Sequence, residues 1–223
     1  MKQIIIIFII TIVSICTQLN AETREIFSES EANAYCAKGD KILDYFDKLE
    51  DKSNADKYLL AAKYYYYQAS RIDISNQNSL IGHARIALYK GNTRDAKNAL
   101  MMALNFNEVN PRVSFYLGEA FFKEGEYTQA IDFYNWAYSH GYRYDYRTNF
   151  QLGICYEKLD DIKQARYHYK NAIKINPSSV SAKARLTGLD TINTDYKTQK
   201  KVPEQDEEIS QEDIKNLNMP AQL

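Results

Sequence analysis

The chain is short of the residues from which reactive sites are usually built. Its 223 residues include three cysteines and three histidines, and neither type recurs at metal-ligand spacing. No glycine-rich phosphate loop and no nucleophile elbow occurs, which removes the common nucleotide and acyl-transfer sites. A surplus of charge is missing too. The chain has 28 Lys and Arg against 29 Asp and Glu, for a formal net charge of −1, far from the basic balance that a nucleic-acid surface requires. Long apolar runs are absent after Cys16. The run from Ile4 to Cys16 is about thirteen residues, against the ~20 that a spanning helix needs.

What is present is a period. Ala96, Ala130 and Ala165 are spaced 34 and 35 residues apart, and Ala103, Ala137 and Ala172 repeat the same two steps. Small residues at such a period mark a solenoid, whose unit cannot bury its apolar face alone and stacks on copies of itself. Three units result, 77–110, 111–145 and 146–179, each with two apolar-periodic helices and a turn between them. Gly118, Ala130, Gly153 and Ala165 are small so that paired helices can approach closely. Phe121, Tyr134, Tyr156 and Tyr169 are large and fill the wider gaps.

The copy holding Leu152, Gly153, Tyr156, Ala165, Tyr169, Ala172 and Pro177 resembles the tetratricopeptide repeat (TPR). The copy holding Leu117, Gly118, Phe121, Gly125, Ala130, Tyr134 and Ala137 resembles it as well, with Tyr142 in place of the family's proline and one extra residue. The copy at 77–110 keeps Gly91, Ala96 and Ala103 but has His83 and Ala84 where the family prefers Leu and Gly. Upstream, Ala62, Tyr66 and Ala69 fit the second helix of a degenerate fourth unit, whose first helix, within 28–50, fits poorly and is interrupted at Gly39. The resemblance implies an all-α, right-handed α-solenoid of TPR helical hairpins, three clear and one degenerate at the N-terminus, with a C-terminal capping helix.

The expected organisation is then a signal peptide at 1–21, an N-terminal cap and degenerate hairpin at 22–76, the three repeats, a capping helix at 180–189 ended by Gly188, and a disordered acidic tail at 190–223. Lys2, the apolar run and Ala21 have the layout of a secretory leader. This predicts an exported protein, periplasmic or secreted, and losing Lys2 makes the net charge one unit more negative. Ile15 before Cys16 argues against lipidation, so membrane contact would come only through an uncleaved or lipidated N-terminus. Cys36 and Cys155 lie about three hairpins apart, beyond the roughly 7 Å that a disulfide spans. Cys155 reads as a buried small hydrophobe, and Cys36 is open to pairing with another molecule.

The resemblance implies a concave face lined by first helices. Carried over residue by residue, the first clear repeat contributes Asn78, Ile81, Gly82, Arg85, Leu88 and Tyr89. The middle one contributes Arg112, Phe115, Tyr116, Glu119, Phe122 and Lys123, and the third Arg147, Phe150, Gln151, Ile154, Glu157 and Lys158. Phe115, Phe122 and Phe150 are surplus to the hairpin core by register and read as apolar anchors, edged by a basic component that favours an acidic partner. Ile81, Tyr116 and Gln151 replace residues of the clamp that the family uses for acidic chaperone tails, so that ligand is not implied.

His83 reads as a packed imidazole, His140 as a turn residue and His168 as outward-facing, while Asp160 and Asp161 cap a helix rather than serve as acid and base. No enzyme and no cofactor is expected. The function that follows is a non-enzymatic scaffold or adaptor in the bacterial cell envelope that binds another protein, through a helix or extended peptide, with the chain's own acidic tail as a candidate occupant. Two alternatives stand beside it: a carbohydrate-binding or enzyme-accessory module using the exposed members of Tyr64, Tyr65, Tyr66 and Tyr67, or a self-associating structural protein.

Overall fold

Local signals set the helix boundaries. Asn110 accepts a bond from the Arg112 amide just ahead of Pro111, Asp145 accepts from Thr148, and Asp161 from Gln164. Each satisfies an amide left open in a first helical turn. Gly125 ends its helix at φ 82, a left-handed turn that glycine adopts without strain.

The computed structural model describes residues 18, 28–49, 51–106 and 109–197. Their elements are α1 (28–48), α2 (Ala55–Ile72), α3 (Gln77–Tyr89), α4 (Thr93–Phe106), α5 (Pro111–Glu124), α6 (Tyr127–Ala137), a π-helical turn at Tyr138–Tyr142, α7 (Tyr146–Lys158), α8 (Ile162–Ile175) and α9 (Val180–Lys197). No strand occurs among them. The expected all-α fold class is thus observed. The expected leader, apart from Gln18, and the part of the expected tail beyond 197 lie outside the described residues. The chain divides between Ile86 and Ala87 into two compact units.

In the first unit α1 and α2 bury Ala32, Cys36, Leu43, Phe46, Leu59, Ala62, Tyr66 and Ala69 in one core, with Ile86. The Tyr66 ring sits between two glycines. A Cβ on Gly39 would meet it at 2.8 Å and one on Gly82 at 2.2 Å. Gly39 therefore makes room for a ring and interrupts nothing, because α1 runs through it unbroken. The poor fit of this hairpin to the repeat has the same origin. Gly39 precedes its tyrosine by 27 residues, whereas Gly118 and Gly153 precede theirs by 16. Cys36 is buried, its thiol 3.4 Å from the Asn76 Oδ1. That placement corrects its reading as a link to another molecule.

In the second unit α5 packs on α6 and α7 on α8, with α4, and at the other end α9, laid against these hairpins. A Cβ on Gly118 would meet the Tyr134 ring at 2.7 Å, and one on Gly153 the Tyr169 ring at 2.5 Å. Ala96, Ala103, Ala130, Ala137, Ala165 and Ala172 are fully buried. The extra residue of the middle repeat is absorbed in the π turn, where Gly141 takes φ 127. Tyr142, in place of the family's proline, packs its ring 6.1 Å from that of Phe115. Gly188 does not end the capping helix. α9 continues through it to Lys197, because a glycine inside a helix weakens it by only about 1 kcal/mol.

Candidate protein-binding face

Three helices of the second unit lie side by side and parallel. The Arg147 guanidinium of α7 sits over the Phe115 ring of α5 at 4.8 Å, Gln151 donates to Glu119, and Phe122 joins the apolar cluster of Ile154. Equal steps along α7 and α5 give this order only if the two run the same way. Likewise Tyr146 and Ser179 bond at 2.6 Å at the starts of α7 and α9, while Leu186 and Leu189 reach the Ile154 cluster further on. The C-terminal ends of α5, α7 and α9 therefore share one edge.

A polar relay recurs behind this face. The Tyr134 hydroxyl donates to Glu119 at 2.7 Å, and Glu119 also accepts from Gln151 of the next hairpin. The Tyr169 hydroxyl donates to Glu157, which also accepts from Arg185 of α9 at 3.1 Å. In the first unit Tyr66 donates to Asp40 at 2.7 Å and Arg85 to the same carboxylate at 2.9 Å. Each carboxylate is thus taken up within the protein. Burial and the adjoining carboxylate raise the pKa of both Tyr134 and Tyr169 above the ordinary phenol range.

The expected contact residues divide accordingly. Ile81 and Arg85 belong to the first unit, and both are buried; Arg85 is held by Asp40 and Asp44, so it is no groove cation. In the second unit Leu88 is buried and Tyr89 exposed. Phe115, only 2% exposed, is a core ring against Tyr116, Tyr134 and Tyr142. This corrects its reading as a surplus anchor; the π turn swings Tyr142 over it. Tyr116 and Ile154 are buried as well. Phe122 and Phe150 are half-buried: Phe122 packs edge-on to Tyr127 and Phe150 stacks on Tyr146 at 5.6 Å.

Besides Tyr89, the exposed members of the expected contact set are cations, with exposed Glu124, Glu126, Asp160 and Asp161 close by in sequence. Arg147, Lys123 and Lys158 are exposed and Arg112 is half-buried, whereas Glu119 and Gln151 are bonded to each other. The sequence reading missed Tyr146, which floors Phe150, and Arg185, which neutralises Glu157. Tyr146 stands four residues before Phe150, a helical pairing distance that could have revealed it.

Of the remaining candidate chemical groups, His140, Asp160 and Asp161 are exposed, whereas His168 and Cys155 are packed away. His168 is buried, stacked on Tyr156 with centroids 5.5 Å apart and 3.4 Å from the Asn149 Oδ1. It does not face outward, as its register suggested, because α8 turns it under Tyr138 and Tyr167. Burial pushes its pKa down to about 3. Burial, with Glu119 nearby, pushes the Cys155 thiol up to about 12, which keeps it an unreactive thiol. Among the described residues no group of three His, Cys, Asp or Glu is placed to hold a metal, and no helix is long and apolar enough to cross a membrane.

Comparison with known proteins agrees with this architecture. Family models described as tetratricopeptide repeat match residues 112–135 and 146–179. The "Protein CTR9 homolog" of Arabidopsis thaliana is 26% identical over 149 residues, or 66% of this chain and 14% of that protein. A solved structure described as "Functional Characterization of Pseudomonas Aeruginosa pilF" is 18% identical with a TM-score of 0.63, over 76% of this chain and 72% of that one. Another, "First TPR of Spaghetti (RPAP3) bound to HSP90 peptide SRMEEVD", is 15% identical with a TM-score of 0.50, over 53% and 93%. At such identities the structural likeness speaks for the fold. With the buried alanines, the glycine–tyrosine contacts and the paired helices, these matches identify the segments at 112–135 and 146–179 as tetratricopeptide repeats.

Proposed function

We propose that the protein is a non-enzymatic interaction scaffold whose second unit binds an acidic peptide segment, helical or extended, across α5 and α7. The observation that carries this reading is the exposed set Arg147, Lys123 and Lys158 around half-buried Phe122 and Phe150, on a face where Glu119 and Glu157 are already bonded inside the fold. Exposed Lys123 and Lys158 beside bonded carboxylates attract an acidic ligand, and the aromatic edges supply apolar contact. Phe115, one of the three expected anchors, is consumed in packing and Phe122 and Phe150 are half-buried, so charge carries more of the recognition than apolar contact does. TPR-type proteins are commonly peptide-binding modules.

The test is fluorescence anisotropy with labelled peptides that differ in acidic and aromatic content. Acid-rich peptides should bind more weakly as salt rises, and Lys123→Glu with Lys158→Glu should reduce their affinity at least tenfold. Binding indifferent to salt and to both substitutions would remove this face as the site. We further propose, from the leader-like residues 1–21, that the scaffold works in the bacterial envelope after export. N-terminal sequencing of the protein from fractionated cells tests this; a chain retaining Met1 in the cytoplasmic fraction would refute it.

A further inference from the structure

We infer that the acidic run Glu204–Asp213 of this same chain is an internal occupant of the α5–α7 face, competing there with the external peptide. The inference rests on the binding reading above and adds its regulation. The run contains Glu204, Asp206, Glu207, Glu208, Glu212 and Asp213 and no cation. It follows α9 after six intervening residues, 198–203. Opposite it stand Lys123 and Lys158, near the C-terminal ends of α5 and α7, and Arg147 at the start of α7.

Parallel packing makes the geometry work. α9 runs the same way as α7, so the chain leaves α9 on the edge that carries Lys123 and Lys158. Leu189 lies level with the Ile154 cluster, and Lys197, the end of α9, is eight residues further on, an overshoot of about 12 Å. Six extended residues reach about 20 Å, enough to return to Lys158 on α7, about 8–10 Å to the side, from where the acidic run itself reaches Lys123 on α5. From Lys158 back to Arg147 is eleven residues of α7, about 17 Å, which five or six extended residues cover. The ten residues of the acidic run therefore suffice to pass from the lysines to Arg147. A segment tethered so closely is present at an effective concentration on the order of millimolar, which outcompetes a micromolar free peptide of comparable affinity.

The experiment uses the full chain and a variant with Glu204→Gln, Asp206→Asn, Glu207→Gln, Glu208→Gln, Glu212→Gln and Asp213→Asn. The probe is a labelled synthetic peptide copying residues 202–217, followed by anisotropy at micromolar protein. The neutralised variant should bind the probe about tenfold more tightly than the native chain, and adding Lys123→Glu and Lys158→Glu to it should abolish the gain. Equal binding by the native and neutralised chains would overturn the internal occupant and leave the binding face standing. No binding by either would instead overturn the acidic-ligand reading of the face itself. A gain that survives the two lysine substitutions would overturn the assignment of the tail to this surface.

Discussion

The Tyr169 ring lies so close to Gly153 that a Cβ at that position would stand 2.5 Å from its carbon atoms. Helix propensity alone would make alanine the better residue there by about 1 kcal/mol. The contact works the other way, because the ring is buried and held by its hydroxyl on Glu157. Gly153→Ala is therefore expected to destabilise the protein by ~1–3 kcal/mol in denaturant melts, the cost of overpacking. A neutral or stabilising result would mean that the hairpin relaxes at no cost.

The same logic applies to the alanines facing each pair. Ala130 and Ala165 have no exposed surface, and Ala130→Leu or Ala165→Leu should each cost ~1–3 kcal/mol. A melt showing no loss for either would contradict the close helix crossing.

The tyrosine hydroxyls are expected to matter less than the rings. In Tyr134→Phe the Glu119 carboxylate loses one donor and keeps Gln151. The loss should be about 1–3 kcal/mol, the range for a bond to a charged group, whereas Tyr134→Ala removes a fully buried ring and should cost ~3–5 kcal/mol. Paired urea titrations compare the two.

Acid should weaken the second unit through His168. Its pKa falls from an ordinary 6.5 to about 3 on burial, so below 6.5 the unfolded chain holds a proton that the folded chain refuses. Stability is then full above about pH 6.5 and declines as pH falls toward 3, by up to about 1.4 kcal/mol per pH unit from this one group. His83, also lowered by burial and by nearby Lys63, adds a contribution of the same sign in the first unit. His168→Phe should flatten part of the decline. An unchanged slope between pH 4 and 6 would show that the imidazole charges without unfolding.

Ser114 offers the opposite case. Its side-chain oxygen is buried with no hydrogen-bond partner among the described residues, a desolvation cost of ~1–3 kcal/mol that the fold carries. Ser114→Ala should leave the melting temperature unchanged or raise it. A clear drop would reveal a partner, such as a bound water, for that hydroxyl.

The helical hairpins were legible because their signals are local and periodic. Alanine and glycine at a 34- to 35-residue step and capping Asp161 act within a turn or two of their own position. Gly39 was misread because only the fold brings Tyr66, 27 residues away, against it. Gly188 was misread because stopping a helix takes more than one glycine's modest cost.

The binding face was legible as a list of positions and opaque as chemistry. Register alone places Phe115, Arg85, Glu119 and Gln151 on first-helix faces, but exposure and charge depend on what crosses over them. The π turn covers Phe115 with Tyr142, Asp40 and Asp44 capture Arg85, and Glu119 is shared between Tyr134 and Gln151. The sequence by itself determined the repeat, its helices and the small residues where they cross, since those follow from periodicity and size. Only the tertiary structure decided which charges stay in water. Burial and pairing join residues such as Arg85 and Asp40, 45 positions apart, and no local pattern encodes that meeting.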